Sequence, residues 1–317
     1  MTYSVIITNY NGAGVLKKNL PKVFAAVGDH EVIVVDDAST DESLTVLQNL
    51  KKKYKSLRIV KKAKNEGFSS TTNLGVSKAK SDLVVLLNSD VVPEKNFLTS
   101  VLPLFEKRDV FAVSLCDKSY EDDKIVLRGR GVGKFVRGFA MHRLGEIKDG
   151  ESLWANGGSG VFRRELWQRL GGLNEIYNPA YGEDWDLGYR AWKAGYKIFF
   201  SKNALVNHYH ETGAMRKRYS AFYRRTVTFR NQLLFILINI TDYKYLLGSL
   251  FWVPYYGIIK AFWRDDFAML AGLLWFILYL PKAFISRQKT VPLFSNSDVN
   301  VFSRFSTEFK TKNEEIF

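Results

Sequence analysis

The chain predicts an α/β fold: a doubly wound, mostly parallel sheet with helices on both faces, followed by an amphipathic helical appendage. Three observations carry this prediction. Short apolar runs alternate with helix-period patterns from Val5 to Leu87, the rhythm of strand–helix–strand units. Each run ends abruptly in polar residues, where open α/β sheets place their ligands. After Gly213 the chain turns basic, then strongly aromatic and apolar.

Taken in order, Val5-Ile6-Ile7-Thr8 predicts a first strand that meets the polar turn Asn9-Tyr10-Asn11-Gly12, and Leu16, Leu20, Val23 and Phe24 mark a helix after it. Glu31 to Val35 predicts a second strand ending in Asp36-Asp37-Ala38-Ser39-Thr40. Ser39 with Glu42 has the spacing of a capping box for a helix through Leu44, Leu47 and Leu50. The lysines from Lys51 to Lys55 suit the solvated end of that helix, where the macrodipole favours cations. Leu57 to Val60 predicts a third strand and Gly67 to Lys78 a third helix. Val84 to Leu87 is an unbroken apolar run, as in a strand buried on both faces. It ends in Asn88-Ser89-Asp90, where Asn88 and Asp90, two apart, face the same way if extended. Asp90 there either holds a hard cation against a phosphate or caps a turn. Pro93 suits the start of a further helix with Leu98, Val101, Leu102 and Phe105 as its apolar face.

The 317 residues are 46% hydrophobic, enough for a sizeable core. A single cysteine, Cys116 in an apolar run, excludes a disulfide framework or a cysteine zinc cluster and fits buried filler. The first apolar run is too short for a signal peptide, which points to the cytoplasmic side of the membrane. A net charge of +14 calls for an anionic partner: nucleotide phosphates, nucleic acid or an acidic membrane face. The glycine fingerprint of dinucleotide-binding folds is missing after the first strand. Gly129 to Lys134 fails as a phosphate loop because Phe135 follows the lysine, so it is expected to be a mobile basic loop.

Small residues crowd Asn156-Gly157-Gly158-Ser159-Gly160, where a backbone or ligand comes close. Gly182-Glu183-Asp184-Trp185-Asp186 opens a helix. On its period Asp184 aligns with Leu187, Gly188 and Ala191, the apolar face. Asp186 aligns with Arg190 and Lys193, an outward face suited to an exposed i,i+4 ion pair. Burial raises and the helix dipole lowers the pKa of an inward first-turn carboxylate, the balance a general base needs. His208 and His210 share one side of a strand and serve either as packing residues or as ligands.

Beyond Gly213, basic residues from Arg216 to Arg230 precede three apolar stretches, Leu233 to Ile240, Leu246 to Ile259 and Phe267 to Leu280. The last two are 14 residues each, below the roughly 20 of a bilayer-crossing helix. Pro254 interrupts one and Pro281 ends the other. Trp252, Tyr255, Tyr256, Trp263, Trp275 and Tyr279 are interface-seeking types. A helical hairpin lying in one leaflet fits this stretch, and a soluble appendage or a contact between two copies of the chain is the alternative. Residues 286–317 are polar and expected to be a loosely ordered tail.

Together these pieces resemble the family 2 glycosyltransferases of the GT-A fold, the rhamnosyltransferase-like bacterial branch in particular. The resemblance rests on Thr8-Asn9-Tyr10-Asn11, Val35-Asp36-Asp37-Ala38-Ser39, Asn65-Glu66-Gly67-Phe68 with Asn73, and Leu87-Asn88-Ser89-Asp90. Asn156-Gly157-Gly158, Gly182-Glu183-Asp184 and His210-Glu211-Thr212-Gly213 complete it. It implies a catalytic domain over 1–213, and the composition beyond it divides into a basic, aromatic helical region over 214–285, expected to be membrane-associated, and a polar tail over 286–317. It implies that Thr8, Asn9, Asp36, Asp37, Asn65, Gly67, Asn73, Asn88 and Ser89 line the nucleotide. Gly157, Gly158, Glu183 and Trp185 would lie at the sugar and acceptor, and Asp184 would be the catalytic base. Asp90 and His210, with His208 as fallback, would hold Mg²⁺ or Mn²⁺. Asn88 replaces the first aspartate of the family's Asp-x-Asp motif, which leaves Asp90 as its sole carboxylate.

The implied activity is metal-dependent inverting transfer of a hexosyl group from a UDP- or dTDP-sugar to a saccharide hydroxyl. The acceptor would be linked to a polyprenyl diphosphate at the inner membrane face, with no nucleic acid involved. A nucleotidyltransferase would need a glycine-rich signature near the first strand, where Asn9-Tyr10-Asn11-Gly12 stands instead. The alternative is a non-catalytic protein that binds sugar nucleotide, or a basic module for membranes or nucleic acid.

Overall fold

A computed structural model describes residues 1–121, 124–179, 181–209, 219–263 and 267–309. The expected strands and helices of the first half are present: β1 (Tyr3–Asn9), α1 (Ala13–Val27), β2 (Val32–Asp36), α2 (Ser43–Lys53), β3 (Leu57–Lys61), α3 (Phe68–Lys78) and β4 (Leu83–Asn88). β4, β1, β2 and β3 are parallel neighbours in that order, because each returns through a helix crossover. α3 lies close on β1: a Cβ at Gly75 would overlap the Ile6 side chain. The capping box does not form. The N-cap of α2 is Glu42, and Ser39 bonds to Asp36 instead.

The second half completes a mixed sheet in the order β10-β12-β6-β11-β4-β1-β2-β3. β5 (Val91–Pro93) takes up the residues expected to start a helix and pairs with the later β12 (Lys197–Tyr209). Only a 3-10 turn, Leu102–Glu106, follows it, and Phe105 is buried there. β6 (Val110–Glu121) pairs antiparallel with β7 (Lys124–Arg128) and carries Cys116, buried as filler with its thiol pushed up to about 11, chiefly by burial. β8 (Gly131–Val136) and β9 (Phe139–Leu144) form a two-stranded sheet. The expected basic loop is therefore a strand, because Gly131 accommodates the Trp154 ring and Gly133 the Leu153 side chain. β10 (Gly150–Glu151), β11 (Ser159–Arg163), α4 (Arg164–Arg169) and α5 (Glu183–Lys193) lead into β12. β11 runs antiparallel to both β4 and β6, which makes the sheet mixed.

The C-terminal region is α6 (Ala221–Asn239), α7 (Tyr243–Pro254), a π-helical turn Tyr255–Ile259, a short turn Lys260–Trp263, α8 (Ala268–Thr290) and α9 (Asp298–Phe305). α6 is a core helix: Phe229, Leu233, Leu234, Phe235 and Ile238 share one apolar cluster with Ile6 and Val84 of the sheet. α8 packs so tightly on α6 that a Cβ at Gly272 would stand 2.8 Å from the Thr226 carbonyl oxygen. Pro281 does not end the third apolar stretch, since α8 continues to Thr290. It is 23 residues long, enough by length and composition to cross a bilayer. Nor are residues 286–305 loose. The fully buried Asp298 accepts from Lys193 Nζ (2.7 Å), Tyr189 Oη (2.6 Å) and the backbone of Thr241 and Asp242, which ties α9 to α5. Buried in this way, the pair sits in the costly category of interior charge.

Candidate functional site

The carboxyl ends of β1 and β2 open onto a cleft of about 550 Å³ whose lining includes Thr8, Asn9, Tyr10, Asp37, Asn65 and Gly67. Strand register sets Thr8 beside Asn88 and Asn9 beside Asp36. Asp37 is the anchor of the cleft wall. It accepts from the backbone N–H of Glu66 (3.0 Å) and Gly67 (2.8 Å) and pairs with the buried Lys62 ammonium at 2.9 Å. Gly67 has φ +85, a left-handed conformation that glycine adopts without strain, and opens α3.

Of the residues expected at the nucleotide, Asp36, Asn73, Asn88 and Ser89 are not among those lining the cleft. Asp36 is fully buried and accepts from Asn9 Nδ2 (2.9 Å), Ser39 N (3.0 Å) and Ser39 Oγ (2.6 Å), so it braces the turn behind the cleft. The Asn73 amide is spent on Leu173, donating to its carbonyl at 2.8 Å and accepting from its N–H at 2.9 Å. Asn73 is the sixth residue of α3, and its side chain meets the loop after α4.

A glycine floor adjoins the cleft. The Asn88 N–H donates to the Gly158 carbonyl at 2.9 Å, and a Cβ at Gly158 would stand 2.7 Å from Asn88 Cγ. A Cβ at Gly157 would stand 3.6 Å from Asp184 Cβ and 3.3 Å from the Phe68 ring. Asn88, Gly158, Gly157, Asp184, Phe68 and Gly67 thus form one continuous surface leading into the cleft. The Asp184 carboxylate accepts from its helix neighbour Trp185 N at 2.7 Å. Burial raises its pKa, while the N–H groups of Trp185 and Gly157 oppose the rise. Glu183 beside it is pushed up to about 8 by burial and by the Asp184 charge, and its Oε2 is buried with no partner.

The neighbouring helix positions differ from expectation. Trp185 does not reach an acceptor: it is buried, stacked between His142 (4.2 Å) and Phe235 (3.8 Å). Asp186 does pair with Arg190 at 2.7 Å, but the pair is buried rather than exposed. Tyr177 Oη (2.9 Å) and Asn239 Nδ2 (2.6 Å) also donate to Asp186, while Arg190 donates to the carbonyls of Leu170 and Gly172. α6 covers the face that α5 alone would leave to solvent.

Asp90 follows β4 with its carboxylate partly exposed, 3.4 Å from His208 Nε2. The other ring nitrogen of His208 bonds to the buried Asp117 of β6 at 2.8 Å. Burial would depress the His208 pKa, but the carboxylates of Asp117 and Asp90 outweigh it and hold it up to about 9. The Ser89 carbonyl accepts from Asn19 Nδ2 at 3.2 Å, which fixes the turn that aims Asp90. His210 lies outside the described residues. Among the described residues no group of three or more His, Cys, Asp or Glu side chains is arranged to hold a metal ion. Asp90 and His208 do have the character of a partial site: a hard carboxylate faces an imidazole oriented by a second carboxylate.

Sequence reasoning missed Lys62, Asp117 and Phe68, and also Tyr219, Trp275 and Tyr279, which line the same cleft. Asp117 had no local signal, since only the pairing of β6 with β12 sets it beside His208. The spacing of Trp275 and Tyr279, one helical turn apart, was legible, but not what that face meets.

The cleft at the strand ends and the inward carboxylate beside the Gly157 floor lie on one mixed α/β sheet. The family model described as "Glycosyl transferase family 2" matches residues 4–171, and the chain belongs to that family. Among curated relatives, the O-antigen chain rhamnosyltransferase WbaN of Salmonella anatum is 27% identical over 185 residues, 57% of this chain and 56% of that protein. A beta-monoglucosyldiacylglycerol synthase of Synechocystis is 27% identical over 172 residues, 52% of this chain and 35% of that protein. The chain thus spans about half or less of the length of these relatives. Among solved structures, S. aureus TarS 1-349 in complex with UDP-GlcNAc aligns with 97% of this chain and 92% of its own (TM-score 0.60, 16% identity). GalNAc-T7 with UDP, GalNAc and Mn²⁺ aligns with 77% of this chain and 49% of its own (TM-score 0.63, 18% identity). The fold is GT-A.

Proposed function

We propose that the chain transfers a hexosyl group, with inversion, from a UDP- or dTDP-sugar to a hydroxyl of a lipid-linked saccharide during cell-surface polysaccharide assembly. The observation that carries the reading is Asp184, a carboxylate with a raised pKa set on the Gly157 floor that leads into the cleft. WbaN, named an O-antigen chain rhamnosyltransferase, and the UDP-GlcNAc in the TarS complex support the acceptor and donor classes.

In this reading the diphosphate lies over Asn88 and Ser89, and Asp37 and Gly67 hold the base and ribose. Asp184 accepts the proton of the acceptor hydroxyl. That oxygen attacks the anomeric carbon from the side opposite the diphosphate, and the bond to the diphosphate oxygen breaks. Glu183, protonated at neutral pH, keeps a second negative charge away from the incoming hydroxyl. Asp90 with His210, or with His208 as the fallback, would hold Mg²⁺ or Mn²⁺. The Mn²⁺ in the GalNAc-T7 complex supports a divalent ion. A bound cation supplies stabilisation of the charge that develops on the leaving diphosphate. The exposed apolar faces of α7 and α8 fit attachment at the inner face of the cell membrane, where the lipid-linked acceptor resides.

The test is thermal stabilisation by UDP, dTDP, GDP and CDP, each with Mn²⁺ and with chelator, in wild type and Asp90→Ala. A nucleotide at about 100 times its Kd adds roughly 2.7 kcal/mol of stability. One nucleotide standing out, only with metal and only with Asp90 intact, supports the reading. No response to any nucleotide refutes it. Binding without transfer to any saccharide would instead favour a non-catalytic sugar-nucleotide binder, the alternative that Asn88 in place of an aspartate allows.

A further inference from the structure

Helix α8 has three faces with different surroundings. Ala268, Met269, Gly272 and Ala283 are buried against the core. Leu274, Ile277, Leu278, Phe284 and Ile285 form an outward apolar stripe, with Leu278 77% exposed. Between these faces, Trp275 and Tyr279 stand one turn apart and line the same cleft as Thr8, Asp37 and Gly67. The pair is not loosely hung. The fully buried Arg230 guanidinium lies 4.4 Å from the Trp275 ring centroid and 4.9 Å from that of Tyr279. Arg230 is itself fixed by the Asn178 carbonyl (2.7 Å) and the Asn231 side chain (2.7 Å). Asn178 in turn donates to the Glu66 carbonyl at 3.1 Å, in the loop that Asp37 grips. Asp37, Glu66, Asn178, Arg230 and the two aromatic rings are therefore one connected chain from the strand ends to α8. Lys282, 5.4 Å over the Tyr279 ring, adds a cation at the rim.

We propose that Trp275 and Tyr279 form the second wall of the donor cleft, and that through them donor binding is linked to docking of the outer face of α8 on an anionic bilayer. The proposal rests on the functional reading above for its ligand and adds a wall and a coupling to it. The occupant of the outer face follows from the chemistry of its side chains. Leu250 and Phe251 of α7, with Phe262 and Trp263 (81% exposed) before α8, add further exposed apolar side chains, and Lys244 of α7 and Lys282 and Lys289 of α8 are exposed lysines on the same helices in a chain of net charge +14. Apolar side chains bordered by lysines match a surface with acyl chains beneath anionic headgroups. A rigid helix with one face in the bilayer and another against the nucleotide transmits position between them. Thermodynamic reciprocity then requires each ligand to tighten the other by the same factor.

The experiment uses the full chain. The Kd of UDP and of dTDP with Mn²⁺ is measured with and without vesicles containing anionic lipid, and vesicle co-sedimentation is measured with and without the nucleotide. Vesicles should tighten nucleotide binding by roughly five-fold or more, and nucleotide should tighten vesicle binding equally. Trp275→Ala or Tyr279→Ala should weaken nucleotide binding about ten-fold while sparing vesicle binding, since aromatic stacking on a base is worth that much. Trp275→Phe, which keeps a ring, should restore most of the affinity and separates a lost wall from a misfolded helix. Leu278→Glu should abolish vesicle binding and the vesicle-induced tightening while leaving the nucleotide Kd in solution unchanged. Wild-type affinity in Trp275→Ala and Tyr279→Ala overturns the wall. Equal nucleotide Kd with and without bound vesicles overturns the coupling. A stable dimer that Leu278→Glu dissociates, with no vesicle binding by wild type, overturns the bilayer as occupant. Failure of wild type to bind any nucleotide is a different result: it refutes the donor reading itself and this inference with it.

Discussion

Replacing Asp184 by asparagine removes a proton acceptor and changes little else. The amide oxygen can still accept from Trp185 N, which the carboxylate does at 2.7 Å, and the side-chain volume is almost the same. The carboxylate is held at a raised pKa by burial, so a neutral isostere does not forfeit a favourable charge. The melting midpoint should therefore stay level or rise. Donor binding should also be unchanged, since Asp184 adjoins the Gly157 floor and is not among the residues lining the cleft. Loss of a positioned general base costs about 10²- to 10⁴-fold, or ~3–5 kcal/mol of barrier. The assay is transfer from the donor that stabilises wild type to a saccharide acceptor, read as nucleoside diphosphate released, alongside the nucleotide Kd. The signature is a fall in kcat with Kd preserved. Turnover within about three-fold of wild type would refute the assignment, and equal losses in binding and turnover would place Asp184 in the donor pocket instead.

Three further outcomes follow from the same geometry. Glu183, pushed up to about 8 in the fold, binds its proton more tightly there than in the unfolded chain. Its contribution to stability is therefore full at low pH and lost as pH rises from the ordinary carboxyl range to about 8. Glu183→Gln should abolish that decline, gaining on the order of a few kcal/mol over wild type at pH 8 and little at pH 4, as melting scans across pH will read. Asp186→Asn, at the buried pair with Arg190, should destabilise the fold by ~3–5 kcal/mol in denaturant titrations, where an exposed pair would give under ~1 kcal/mol. Gly158→Ala should cost ~1–3 kcal/mol of stability and lower turnover, because its Cβ would displace the Asn88 amide at the cleft floor; an unchanged denaturation midpoint and rate would show that the floor is not tight there.

The strand ends were readable because parallel strands buried on both faces must be apolar throughout, so the change to polar residues at Asn9, Asp36 and Asn88 marks the edge of the core. The inward direction of Asp184 followed from helix period alone. Period could not say what covers the opposite face of α5. It turned Asp186 outward, whereas α6, some forty residues later in the chain, buries it beside Tyr177 and Asn239. The burial of Trp185 has the same origin, since Phe235 of α6 stacks on it. Pro93 and Pro281 carried helix-boundary signals that context overrode. One lies in a strand paired with β12, and the other within a helix held by its packing on α6.

Local sequence determined where strands, turns and the first-turn carboxylate fall, because hydrophobic period and turn chemistry act over a few residues. Tertiary structure alone decided which of the polar residues at the strand ends line the cleft, that His208 stands beside Asp90, and that Trp275 and Tyr279 of α8 line the same cleft. Those facts depend on contacts between segments a hundred or more residues apart, such as Asp90 with His208 and Gly67 with Asn178, and no local pattern encodes them.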